Sequence, residues 1–186
     1  MNEKKAVKTK IAHSAKECAI IGVYVAVLLS SQLVLAVVPG VEVVTALLAV
    51  YAFCFGAKRG VAVATAFSLL RQFVFGFFPT VLILYLVYYN IFALALAFLG
   101  KKIKNVVKCL PVIMISVCVC TLLFTLLDCV ITPLFYGFTG RATVAYFYSA
   151  LPIMTTQTVV VGITTAVLFL PLYRAFVLLK RSFFRE

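Results

Sequence analysis

The chain has 186 residues, 65% of them hydrophobic and only 12% charged, with a formal net charge of +12; its mean hydropathy is +1.18. A water-soluble domain of this size has no interior large enough to hide that much apolar surface, so the composition excludes one. Runs of roughly 20 apolar residues, each able to cross about 30 Å of hydrocarbon, account for it instead, and the lack of ten-residue alternation excludes a barrel.

Residues 1–17 form a basic segment carrying Lys4, Lys5, Lys8, Lys10 and Lys16. The apolar run that follows, 18–38, is too long for the core of a signal peptide and ends in no clean cleavage site. It is expected to be a retained first helix. Ala15, Ala19, Gly22, Ala26 and Ser30 step along it by four, three, four and four, which puts small residues in one narrow stripe. In lipid such a stripe lets a second helix approach closely, either from within the chain or from a partner subunit.

A Pro39-Gly40 break then precedes Glu42, one of only five acids, and a short second run at 43–56. The third run, 60–78, contains Arg71 and Gln72. The fourth, 80–100, carries Tyr85, Tyr88 and Tyr89 on one helical face, with Asn90 beside them. The fifth, 109–135, contains Asp128. An aromatic- and Gly-rich connection at 134–152, expected to hold a short interfacial helix or a lid, leads to the sixth run, 152–179, which has Gln157 near its start. A basic tail, 180–186, closes the chain. Tilt or kinks are expected near Pro133 and Pro171. The reading is therefore an all-α membrane protein: a six-helix transmembrane domain over 18–179 between two basic segments.

Charge sets the expected orientation. If the N-terminus is cytoplasmic, 15 of the 17 basic residues fall on one side, leaving only Arg71 and Arg141. The positive-inside rule then places both termini in the cytoplasm. The same placement, at the ends of apolar runs, argues against nucleic acid as the partner of the basic charge.

Charged side chains within a bilayer are costly and point by default to function. By depth, Glu42, Arg71 and Asp128 all fall in the outer half. Two readings stay open: an ion pair from Arg71 to Asp128 or Glu42 that holds helices together, or a ligand pocket open to the outside. Gln72, Tyr85, Tyr88, Tyr89, Asn90 and Gln157 would complete such a pocket, the tyrosines by stacking on a ring. Cys18, Cys54, Cys109, Cys118, Cys120 and Cys129 show no CxxC spacing, and His13 is the only histidine. They read as small hydrophobes, so neither a metal site nor a cofactor is expected. No HExxH, Walker or GxSxG motif is present, so the chain is expected not to be an enzyme.

These features resemble the substrate-binding S-components of energy-coupling factor (ECF) transporters: six helices, basic inner loops and a small-residue stripe on the first helix. Members carry a P-N-V-E-P-V-T-like turn between the first two helices. Here it reads Pro39-Gly40-Val41-Glu42-Val43-Val44-Thr45, with Gly for Asn and Val for the second Pro. "FGAKRG" (Phe55 to Gly60) is similar to a second family turn, and Pro79 to a third; the Trp that members place near the second outer turn is absent. The resemblance implies a subunit in a bacterial cell membrane that binds a vitamin or related micronutrient near the outer face. Glu42 and Thr45 would belong to its gating region. It would dock through Ala15, Ala19, Gly22 and Ala26 onto a membrane T-component driven by two ATPase subunits, and toppling would carry the solute across. A nickel or cobalt carrier is disfavoured, because those use N-terminal His ligands and this chain begins Met-Asn. The alternatives are a non-catalytic scaffold of the rod-shape MreD type, or a channel or stand-alone carrier.

Overall fold

A computed structural model describes residues 2–37 and 43–184, with side chains over 15–37 and 43–182. The described residues form six helices and no strand: α1 (Asn2–Leu35), α2 (Val44–Phe55), α3 (Ala57–Phe75), α4 (Pro79–Lys102), α5 (Leu110–Tyr136) and α6 (Gly140–Phe184). Within α1, α4, α5 and α6 lie four stretches long and apolar enough to cross a bilayer. The chain is a helical multi-pass membrane protein. Helix α3 is long enough too, at 19 residues, but carries Lys58, Arg59 and Arg71.

Helix boundaries follow local chemistry. Pro79 and Pro111 sit in the first turns of α4 and α5, where a missing amide N–H costs nothing. Gly137 ends α5 in the left-handed region (φ 63°), and the Phe138 amide bonds the Pro133 carbonyl at 2.9 Å. Gly56 alone links α2 to α3, at φ 83°, a conformation that a side chain would strain.

Two expected boundaries differ. The segment 134–152 is neither a lid nor a separate interfacial helix. Helix α5 continues to Tyr136, and after a short turn α6 begins at Gly140 and runs unbroken through Pro152 and Pro171. Neither proline stops α6. Prolines are tolerated inside membrane helices, where the carbonyl each one frees, four residues before it, can be satisfied by other donors or by local adjustment of the turn. Helix α1 also begins earlier than its apolar run, because the Lys-, Glu- and Ala-rich stretch before it contains no helix breaker.

Helix α2 is the centre of the bundle. It has only 12 residues, about 18 Å of helix, and all but Cys54 are buried. It touches every other helix. A helix that is hydrophobic all round has no face to spare for lipid or water, so the other five enclose it. Small residues make the approach possible. Gly60 of α3 lies against Ala52, so closely that an added Cβ would stand only 3.0 Å from the Ala52 Cβ. Gly100 of α4 rests directly on the backbone of Phe53, where a built Cβ would overlap the Phe53 carbonyl oxygen and lie 3.2 Å from its Cα. Gly100→Ala is therefore expected to destabilise the fold by about 1–3 kcal/mol, seen as a lowered thermal unfolding midpoint in detergent. Gly140→Ala, where an added Cβ meets nothing within 4 Å, should leave it unchanged.

Successive helices alternate in direction, and the bundle has two chemically distinct ends. One collects Lys58, Arg59, Lys101, Lys102, Lys104, Lys108, Lys180 and Arg181, with Arg59 paired to Glu17 across α3 and α1. The other exposes rings, among them Phe73, Phe77, Tyr136 and Tyr148, as an interfacial belt does.

Candidate ligand-binding site

The site lies toward the aromatic end, one turn from the end of α3. Arg71 projects from α3 with its guanidinium carbon over two rings: Phe75 of the same helix at 4.9 Å and Tyr85 of α4 at 4.6 Å. The first contact follows from i, i+4 spacing, the second from the packing of α3 on α4. Cation–π contacts satisfy the charge only in part, and they do so through the ring faces. The Nε and Nη1 atoms of Arg71 are buried with no hydrogen-bond partner among the described residues.

Gln32 of α1 completes the group. Its Nε2 donates to the Tyr85 hydroxyl at 3.4 Å, while its Oε1 is buried and unmatched. Three helices thus meet at Tyr85, with an unmatched amide edge on one side and unmatched guanidinium N–H groups on the other. Buried polar atoms are nearly always paired in folded proteins, and an intramembrane cation without a counter-charge is costlier still.

Beneath this group the three tyrosines share a face, as their spacing predicts, but they stack on protein rings. Tyr85 and Tyr89 pack edge to face at 5.0 Å, Phe67 lies parallel to Tyr85 at 6.3 Å, and Phe124 of α5 meets Tyr88 at 4.7 Å. The result is a buried aromatic floor spanning α3, α4 and α5.

The remaining predicted residues take other places. Gln72 is buried; its Oε1 accepts from the Phe78 amide at 3.2 Å, just before α4, and its Nε2 is unmatched. Asn90 accepts from Thr65 at 3.0 Å and donates to the Leu86 carbonyl at 2.7 Å, which ties α3 to α4. Thr45 is buried in the first turn of α2. Glu42 lies outside the described residues.

Asp128 does not join Arg71. Its carboxylate accepts from Thr132 and from Tyr146 of α6, both at 2.7 Å, and no ion pair among the described residues links it to the arginine. Gln157 accepts from Thr125 at 3.4 Å, also between α5 and α6. The polar residues of similar depth therefore form two groups, one on α1, α3 and α4 and one on α5 and α6. Depth can be counted along a sequence, but the direction each helix face points cannot. Gln32, overlooked by that count, carries a readable signal: an amide one turn from the end of an otherwise apolar run.

The small-residue stripe has a definite environment. Ala15, Ala19, Gly22, Ala26 and Ser30 are all exposed, and a Cβ added at Gly22 meets nothing within 4 Å. Among the described residues the stripe is not used for packing inside the chain. No protein-family model, curated protein or solved structure matches this chain.

Proposed function

We propose that the chain is the substrate-binding S-component of an ECF-type importer. It takes a vitamin-like solute at the Arg71 group and delivers it by docking on a T-component that carries two ATPase subunits. The observation that carries this reading is the Arg71 guanidinium, whose buried Nε and Nη1 are unmatched among the described residues. An arginine that only held helices together would be expected opposite a carboxylate; of the two acids at similar depth, Asp128 is engaged by Tyr146 and Thr132, and Glu42 lies outside the described residues. A solute that brings its own acceptors would supply what Arg71 lacks, and the aromatic floor would give it a rigid apolar bed.

The exposed stripe on α1 supports the second half of the reading, since it offers a close-approach surface that the described residues of the chain leave unused. The positive-inside count adds an orientation, with the basic end cytoplasmic and Arg71 toward the outside. Transport without a catalytic centre of its own fits the lack of enzyme motifs, ATP being hydrolysed by the partner subunits.

Affinity purification of the tagged protein from mild detergent tests the assignment. Recovery of one further polytopic subunit together with two ATPases is the expected result. Recovery of cell-wall synthesis proteins in their place would favour the scaffold reading, which uses the stripe but leaves Arg71 without a purpose.

A further inference from the structure

At the basic end, far from Arg71, the last turns of α2, α4 and α6 line an open-sided cavity of about 330 Å³. Its walls include Phe53, Gly100, Ile103 and Phe176, and Lys180 and Arg181 also line it. Among the described residues neither cation has a carboxylate partner: Glu17 is taken by Arg59, and Asp128 lies toward the opposite end.

Converging helix C-termini offer a competing explanation, because their carbonyl ends attract cations. Each carries roughly half a negative charge, so three of them amount to about one and a half. Lys180 and Arg181 already exceed that, and Lys101 and Lys102 in the last turn of α4 add to the surplus. The cavity is left electropositive.

The rest of the wall is apolar and stiff. Phe53 packs edge-on to Phe169 at 5.4 Å and to Tyr173 at 6.0 Å, while Phe176 meets Phe55 at 5.5 Å. A free phosphate has no use for such a wall, whereas the glycerol and first acyl carbons of a phospholipid do. The position, among the lysines that end the apolar helices, is headgroup depth.

We propose that this cavity is a binding site for the headgroup of an anionic phospholipid, with Lys180 and Arg181 on the phosphate and the aromatic wall against the glycerol and proximal acyl chain. Basic pockets between membrane helices are suited to such headgroups, each cation contributing a similar increment. The site is independent of the transport reading.

Native mass spectrometry of the full chain, titrated in detergent with palmitoyl-oleoyl phosphatidylglycerol or phosphatidylcholine, tests it. One phosphatidylglycerol is expected to be retained, and K180Q/R181Q should hold it roughly thirtyfold more weakly. Phosphatidylcholine should not distinguish the two proteins, and the charge-preserving K180R/R181K should bind like the wild type. Equal retention of phosphatidylglycerol by wild type and K180Q/R181Q would overturn the proposal. So would glycerol 3-phosphate competing as well as the lipid, since the ligand would then be a soluble phosphate.

Discussion

Gly22→Leu is expected to abolish uptake while leaving the protein folded and able to bind its solute. The reasoning begins with space. A Cβ at Gly22 meets nothing within 4 Å, and the stripe residues on either side, Ala19 and Ala26, are exposed. A leucine there disturbs no contact within the chain, so its thermal unfolding midpoint should match that of the wild type. Against a partner helix the outcome is different. Close approach depends on the missing side chain, and a leucine separates the two backbones and removes the packing that drives association in lipid. Uptake into cells and co-purification of the partner subunits should fall together. If the variant transports normally, the stripe faces only lipid and the docking proposal fails. If its unfolding midpoint drops sharply, the stripe has a structural role inside the chain.

The second large effect concerns Arg71, and its signs separate two roles. Arg71→Ala is expected to cost about 2–5 kcal/mol of solute binding, roughly a thirtyfold loss or more. Its effect on stability should be small. A matched buried ion pair loses about 3–5 kcal/mol when one partner is removed, because the other charge is left stranded. Among the described residues Arg71 strands nothing: its Nε and Nη1 have no partner there, and its ring contacts with Phe75 and Tyr85 are worth about 1–2 kcal/mol, offset by the relief of no longer burying a charge. Native mass spectrometry of gently extracted wild-type protein identifies the retained small molecule, and the same measurement on R71A gives the loss. A large fall in the unfolding midpoint, equal to or beyond the loss of binding, would assign Arg71 to the fold instead.

Much of the architecture is legible in the sequence because helix ends are written in local chemistry. Pro79, Pro111, Gly56 and Gly137 mark boundaries where a missing N–H or a positive φ is required, and apolar runs locate the six helices between them. Residues 140–151 mislead because Gly140, Arg141 and clustered aromatics are loop-like in composition, while a helix at the bilayer interface draws on the same residues. The candidate site is legible only in part. That Arg71 and the tyrosines lie at one depth follows from counting. That Asp128 turns toward Tyr146 and that Gln32 turns toward Tyr85 depends on the rotation of α5 and α1 about their axes. That rotation is fixed by packing between helices distant in sequence, which one-dimensional periodicity does not encode.

The shortness of α2 has an electrical consequence. Its last turn is held at the basic end by the contact of Phe53 with Gly100, so nearly all of its shortfall, about 12 Å against a 30 Å hydrocarbon slab, falls at the aromatic end. Along this one axis the insulating path is only about 18 Å of protein. Where water or a bound solute fills the remainder, the membrane voltage drops over that shorter path, and the local field is steeper by roughly two-thirds than across the surrounding lipid.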